Sequence, residues 1–79
     1  MNNFYMATTK IFGKDVYTGY EYNIFIGEIL DVKEVHKKTI VVTSNALVNE
    51  KKNNIYLEVD KIIFLESVEK ISDKVKKTN

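Results

Sequence analysis

The stretch Tyr20–His36, YEYNIFIGEILDVKEVH, constrains the fold more than any other part of the chain. It is the longest apolar-rich run, and Tyr20, Tyr22, Ile24, Ile26, Leu30 and Val32 share one parity. Side chains two residues apart lie on the same face of a strand, so this alternation predicts a strand with one buried face. Gly27 interrupts the run, and Glu28 follows on the apolar parity. A glycine inside a strand marks a bulge or a sharp bend. The predicted organising element is therefore one long strand, bent at Gly27, that curls a small sheet around a core.

The flanking segments fit that plan. Residues 1–10 permit a short strand or a disordered start, since Phe4, Met6 and Thr8 alternate with Tyr5, Ala7 and Thr9. Residues 11–18 read as a first strand, with a Gly13-Lys14-Asp15 turn and the β-formers Val16, Tyr17 and Thr18 after it. The charged link Lys33–Lys38 suits a hairpin, which pairs residues 38–44 antiparallel with the central strand. Residues 45–54 read as an Asn-rich loop, in which Ala46-Leu47-Val48 either extends the preceding strand or forms an exposed contact. Residues 54–66 read as two short strands, Ile55 and Leu57 in one and Ile63 to Leu65 in the other. A single 3₁₀ turn at Glu58–Lys61 joins them, with Val59 and Ile62 pointing inward. In residues 67–79 the apolar positions Val68, Ile71 and Val75 change to helical spacing behind a Ser67 cap, which predicts a short helix or a lysine-rich tail.

Short strands without crossover helices predict an all-β domain: a small five-stranded antiparallel barrel with a short C-terminal helix. Residues 1–79 make one domain, with its core at about 11–66. A chain of this size buries only about 60–65% of its unfolded surface, so a homodimer is an expected way to add core. The chain has no cysteine, and a fold this small without staples points to the cytoplasm. No apolar run approaches the ~18 residues of a membrane span, and the N-terminal residues lack the features of a signal peptide.

The order of elements resembles small five-stranded barrels: the Sm-like RNA-binding proteins, the Src-homology-like barrels and the PRC-barrel family. The PRC barrel's Gly-Lys-x-Val start matches Gly13-Lys14-Asp15-Val16. Its Ile-Gly-x-Ile/Val-x-Asp-Val stretch matches Ile26-Gly27-Glu28-Ile29-Leu30-Asp31-Val32, with one residue more before the Asp-Val pair. The closing segment Ile55–Glu66 is similar to the end of either an Sm-like or a PRC barrel. The resemblance covers roughly residues 11–66 and implies a fold. It implies no site residue, because Asp31 is followed by Val32, Lys33, Glu34 and Val35 and not by the Asp-x-x-x-Asn base-binding loop of the Sm-like family.

Little in the chain supports catalysis. His36 is the one histidine, with Glu34 two residues away on the same strand face, and it reads as a solvated side chain on a charged turn. The carboxylates Asp15, Glu21, Glu28, Asp31 and Glu34 have no ligand spacing, and there is no phosphate-binding glycine loop. The chain reads as a non-enzyme with no metal and no cofactor. Two accounts of Glu28 stand side by side: a bulge at Gly27 turns it to water with Ile29 inward, or its charge is kept at an interface.

Aromatic side chains concentrate in the first third of the chain. An exposed aromatic patch marks a partner surface, because a tyrosine ring gives contact area while its hydroxyl stays wet. The leading expectation is a protein-binding module using Tyr17, Tyr20, Tyr22, Phe25 and Glu28, which occludes a host protein. Twelve Lys, nine Ile and eight Asn without Arg reflect AT-rich coding DNA and fit a phage or mobile element of a low-GC bacterium. The alternative is an Sm-like RNA or DNA binder using Lys33, Lys37, Lys38, Lys51 and Lys52. A net charge of +1 and the lack of arginine place it second.

Overall fold

The computed structural model describes residues 4–71. They form β1 (Phe4–Ala7), β2 (Ile11–Asp15), β3 (Glu21–Ile24), β4 (Ile29–Val35), β5 (Thr39–Val48), β6 (Asn54–Asp60), α1 (Lys61–Ser67) and β7 (Val68–Lys70). The all-β expectation holds at the level of class: every strand pairing is antiparallel, and one short helix joins them. The five-stranded barrel does not. One seven-stranded sheet runs in the order β3-β2-β6-β5-β4-β1-β7. β3 and β7 end that order with no ladder between them, so the sheet does not close.

The connections nonetheless force the sheet to roll. β1 and β2 stand four places apart in the order. At a spacing of ~4.8 Å between strands this is about 19 Å across a flat sheet. Only residues 8–10 join them, and a chain that short reaches about 14 Å at full extension. β3 and β4 are also four places apart, joined by residues 25–28 alone. The long strand expected over Tyr20–His36 is thus two strands on different parts of the sheet. Gly27, with φ of +93°, sits in the left-handed region and lets the chain reverse where a bend was expected. Two backbone hydrogen bonds fix the reversal against β1. The Ala7 amide donates to the Glu28 carbonyl at 3.0 Å, and the Gly27 amide donates to the Ala7 carbonyl at 2.9 Å.

Inside the roll lies a core of Ala7, Ile11, Ile24, Leu30, Ile40, Val42, Ile55, Leu57, Val59 and Phe64. β6 shows the period of two that builds it: Ile55, Leu57 and Val59 are buried, while Tyr56 and Glu58 alternate outward. The even parity of the Tyr20–His36 run is correct for Tyr22, Ile24, Leu30 and Val32. It fails at Tyr20 and Ile26, which fall outside the strands and are exposed. Gly13-Lys14-Asp15 is strand and not turn. Gly13 faces inward at a close approach, where an added Cβ would stand 3.0 Å from both Leu57 Cβ and Val59 Cγ1. The turn follows instead at Val16–Thr18. β5 takes in Ala46-Leu47-Val48 and pairs with β4 as the hairpin reading expects, with a register shift between Val32 and Glu34.

The 3₁₀ corner at Glu58–Lys61 and the strand at Ile63–Leu65 are both overturned by α1. Asp60 caps the helix, its Oδ2 accepting from the Ile63 amide at 3.0 Å. Val59 points inward as expected, but Ile62 is turned to solvent. Phe64 is the reason a helix prevails over the strand preference of the two isoleucines. From a helical turn it is buried in the core, where its ring meets Tyr5 edge-on at 5.4 Å. The helix expected over 67–79 is also corrected where it can be seen: Ser67 ends α1, and Val68–Lys70 pairs with β1 as a strand. Residues 72–79 lie outside the described residues, as do residues 1–3 of the expected N-terminal segment.

Because Phe64 is fully buried in a core this small, Phe64→Ala is expected to lower unfolding free energy by about 3–5 kcal/mol. Urea denaturation followed by tyrosine fluorescence checks this. A loss below about 1 kcal/mol would contradict its place in the core, since that is less than the removal of a buried ring costs.

Candidate functional site

Two hairpin ends come together beside the tyrosines. At the β2–β3 hairpin, Asp15 is the organising residue. Its Oδ1 accepts from the backbone amides of Tyr17 at 2.7 Å and Thr18 at 3.3 Å. Its own amide and carbonyl bond Tyr20 O and Gly19 N across the turn. Thr18 Oγ1 adds a bond from the Tyr20 amide at 3.1 Å. Gly19, at φ of +80°, supplies the left-handed residue. The turn thereby holds the Tyr17 and Tyr20 rings 83% and 67% exposed on a fixed backbone.

The β5–β6 hairpin is built the same way. Asn49 Oδ1 accepts from the amides of Lys51 at 2.9 Å and Asn53 at 3.0 Å, and its carbonyl accepts from Lys52. An Asn or Asp side chain bonding backbone two or three residues on is a local substitute for a ladder, and it stiffens a loop. Between the two hairpin ends runs a groove of about 550 Å³. Tyr17, Tyr20, Tyr22 and Tyr56 line it, with Asp15 and Lys51 among its charged groups.

The five expected protein-contact residues are divided by this geometry. Tyr17, Tyr20 and Tyr22 share the groove. Phe25 and Glu28 belong to the reversal at the other end of β3, where Phe25 and Ile26 are exposed. Glu28 is not turned out to water by a bulge, and Ile29 is not the inward residue; Leu30 is. Both Glu28 carboxylate oxygens are engaged inside the molecule. Oε2 accepts from the Phe25 amide at 3.0 Å, and Oε1 accepts from the Ser44 hydroxyl at 3.0 Å. Ser44 is buried on β5, so this carboxylate ties the 25–28 reversal to the middle of the sheet.

The five lysines do not form one basic face. Lys51 and Lys52 are in the β5–β6 turn, and Lys37 and Lys38 are in the β4–β5 turn at the opposite end of β5. Lys33 stands on the outer face of β4, paired with Asp31 at 2.9 Å. The hydrogen bond to Asp31, aided by its charge, raises the Lys33 pKa above the ordinary lysine value. The expected neighbours Glu34 and His36 do touch, Oε1 to Nε2 at 2.8 Å, on an exposed surface. No group of three His, Cys, Asp or Glu able to hold a metal ion is present among the described residues. No helix among them is long and apolar enough to cross a membrane.

Two features escaped the sequence reading. Tyr56 joins the groove from β6, more than thirty residues from the other tyrosines, and only the β2–β6 pairing brings it there. The second is the outer side of α1, where Ile62 and Leu65 are 68% and 60% exposed and Ile63 lies beside Phe12. Asp60 ahead of the apolar run Ile62–Leu65 was the legible signal, a cap residue at the start of a helix.

Glu28→Gln removes one of the two acceptors that serve Phe25 and Ser44. It is expected to cost about 1 kcal/mol of stability at neutral pH. Comparison of urea midpoints checks this, and an unchanged midpoint would remove Glu28 from the structural role.

No family model, curated protein or solved structure matches the chain.

Proposed function

We propose that this chain is a non-enzymatic protein-binding module that docks through the tyrosine groove and acts by occluding its partner. The observation that carries the reading is the pairing of exposure with rigidity at Tyr17 and Tyr20. Their rings stand in solvent while Asp15 and Thr18 side chains pin the backbone beneath them. Exposed apolar area on a preformed turn binds without the entropy cost of ordering a loop. Tyrosine is also among the residues that dominate binding energy at protein interfaces. The separation of Lys37 and Lys38 from Lys51 and Lys52 argues against a continuous phosphate track. The narrower reading, a phage or mobile-element modulator of a host protein, rests on the lysine-rich, arginine-free composition and the small single domain.

The test is an affinity pull-down from lysate of a low-GC Gram-positive bacterium, with and without nuclease and at low and high salt. The expected result is one stoichiometric protein retained at high salt. Tyr17→Ser with Tyr20→Ser should weaken its retention at least about tenfold, as removal of interface anchors does. Recovery of nucleic acid that is lost at high salt would overturn the reading in favour of the lysine-based one.

A further inference from the structure

We infer that the tyrosine groove is built to take a cationic side chain, an arginine or lysine presented by the partner protein. The inference rests on the groove being the protein contact proposed above, and names the chemistry of what enters it.

Three observations carry it. First, four tyrosines from two strands and the β2–β3 turn converge on one groove, yet none is spent on a neighbouring ring. The one ring pair among the described residues is Tyr5 with Phe64, and neither lines the groove. Tyrosine faces are electron-rich, and a guanidinium or ammonium within about 6 Å of a ring centre is attracted to them.

Second, Asp15 lines the same groove and is only 8% exposed. Its Oδ1 is committed to the amides of Tyr17 and Thr18. Its Oδ2 accepts no hydrogen bond and makes no ion pair among the described residues. A largely buried carboxylate whose unengaged oxygen still reaches solvent suits a charged donor arriving from outside.

Third, the charges along the groove sum in favour of a cation. Asp15 and Glu50 are acidic, and Lys51 is the one basic lining residue. Lys33 lies in a separate hollow on the far side of Tyr17 and Tyr56, where Asp31 already neutralises it. An anionic ligand would meet two carboxylates and a single long exposed lysine. A cation meets ring faces and a buried carboxylate, and displaces Lys51 into water at little cost.

The experiment is an NMR titration of the ¹⁵N-labelled full chain with four capped tripeptides that differ in their central residue: arginine, lysine, norleucine or glutamate. Norleucine keeps the aliphatic stem and removes the charge. The arginine and lysine peptides are expected to shift the amides of Tyr17–Tyr22 and of residues 49–54, while the other two leave them unmoved at equal concentration. Asp15→Asn keeps an oxygen for the turn amides and removes the charge, so it should retain the parent spectrum elsewhere and weaken binding about tenfold. Tyr20→Leu is a second variant outside the buried core and should weaken binding similarly. Equal shifts by norleucine would overturn the cation inference and leave the docking reading standing. Shifts by the glutamate peptide, or silence to all four, would overturn it as well. In either case the pull-down decides the docking reading separately.

Discussion

The structure depends on two connections too short for a flat sheet. Residues 8–10 must carry the chain from β1 to β2, and residues 25–28 must carry it from β3 to β4, each across four places in the strand order. Neither is met unless the sheet curls, and the curl is locked where the two connections meet. There Ala7 exchanges backbone hydrogen bonds with Gly27 and Glu28. The adjacent Thr8 amide donates to Ser67 at 2.7 Å, which fastens the end of α1 to the same point. Core formation follows from the curl. Ile24, Leu30 and Ile11 face a common interior because the roll has brought separate parts of the sheet around it.

The groove follows from the same constraint, one step removed. Pairing β2 with both β3 and β6 sets the β2–β3 turn beside the β5–β6 turn, and Tyr56 falls between them. Asp15 and Asn49 then fix the two turns by side-chain bonds to backbone. A rigid scaffold carrying functional loops is the usual division of labour in small domains. Here it leaves large aromatic side chains in water, where their burial would otherwise contribute about 1.5–3 kcal/mol each. A partner that covers them recovers that contribution. The outer side of α1 is likewise apolar and exposed, since Phe64 faces the core and Ile62 and Leu65 then face away from it.

What could be read from the sequence was local. The period of two marked the buried faces of β4 and β6, and the β-branched run at residues 39–43 marked β5. The lysine-flanked link marked the β4–β5 hairpin. Tyr17, Tyr20 and Tyr22 were legible as neighbours because they lie close in sequence, and they line one groove. What failed required the fold to be known first. Gly27 could be read as a bend or as a reversal, and only the placement of β1 decides between them. Gly13 looked like a turn residue, whereas the close approach of Leu57 and Val59 makes it a packing residue. The Ile62–Leu65 segment has strand propensity, and a capped helix that buries Phe64 overrides it. Tyr56 carries no local sign of its part in the groove.

The rolled sheet is locked at Ala7 and Gly27, and native-state amide hydrogen exchange tests that most directly. The Ala7 and Gly27 amides lie at the end of a strand and in a turn, where fast exchange is the ordinary expectation. If their bonds close the roll, both should exchange as slowly as the β5 and β6 ladder amides and lose protection with them in one cooperative unfolding event. Exchange at loop rates while β5 and β6 stay protected would mean that the roll opens freely, and would contradict the account.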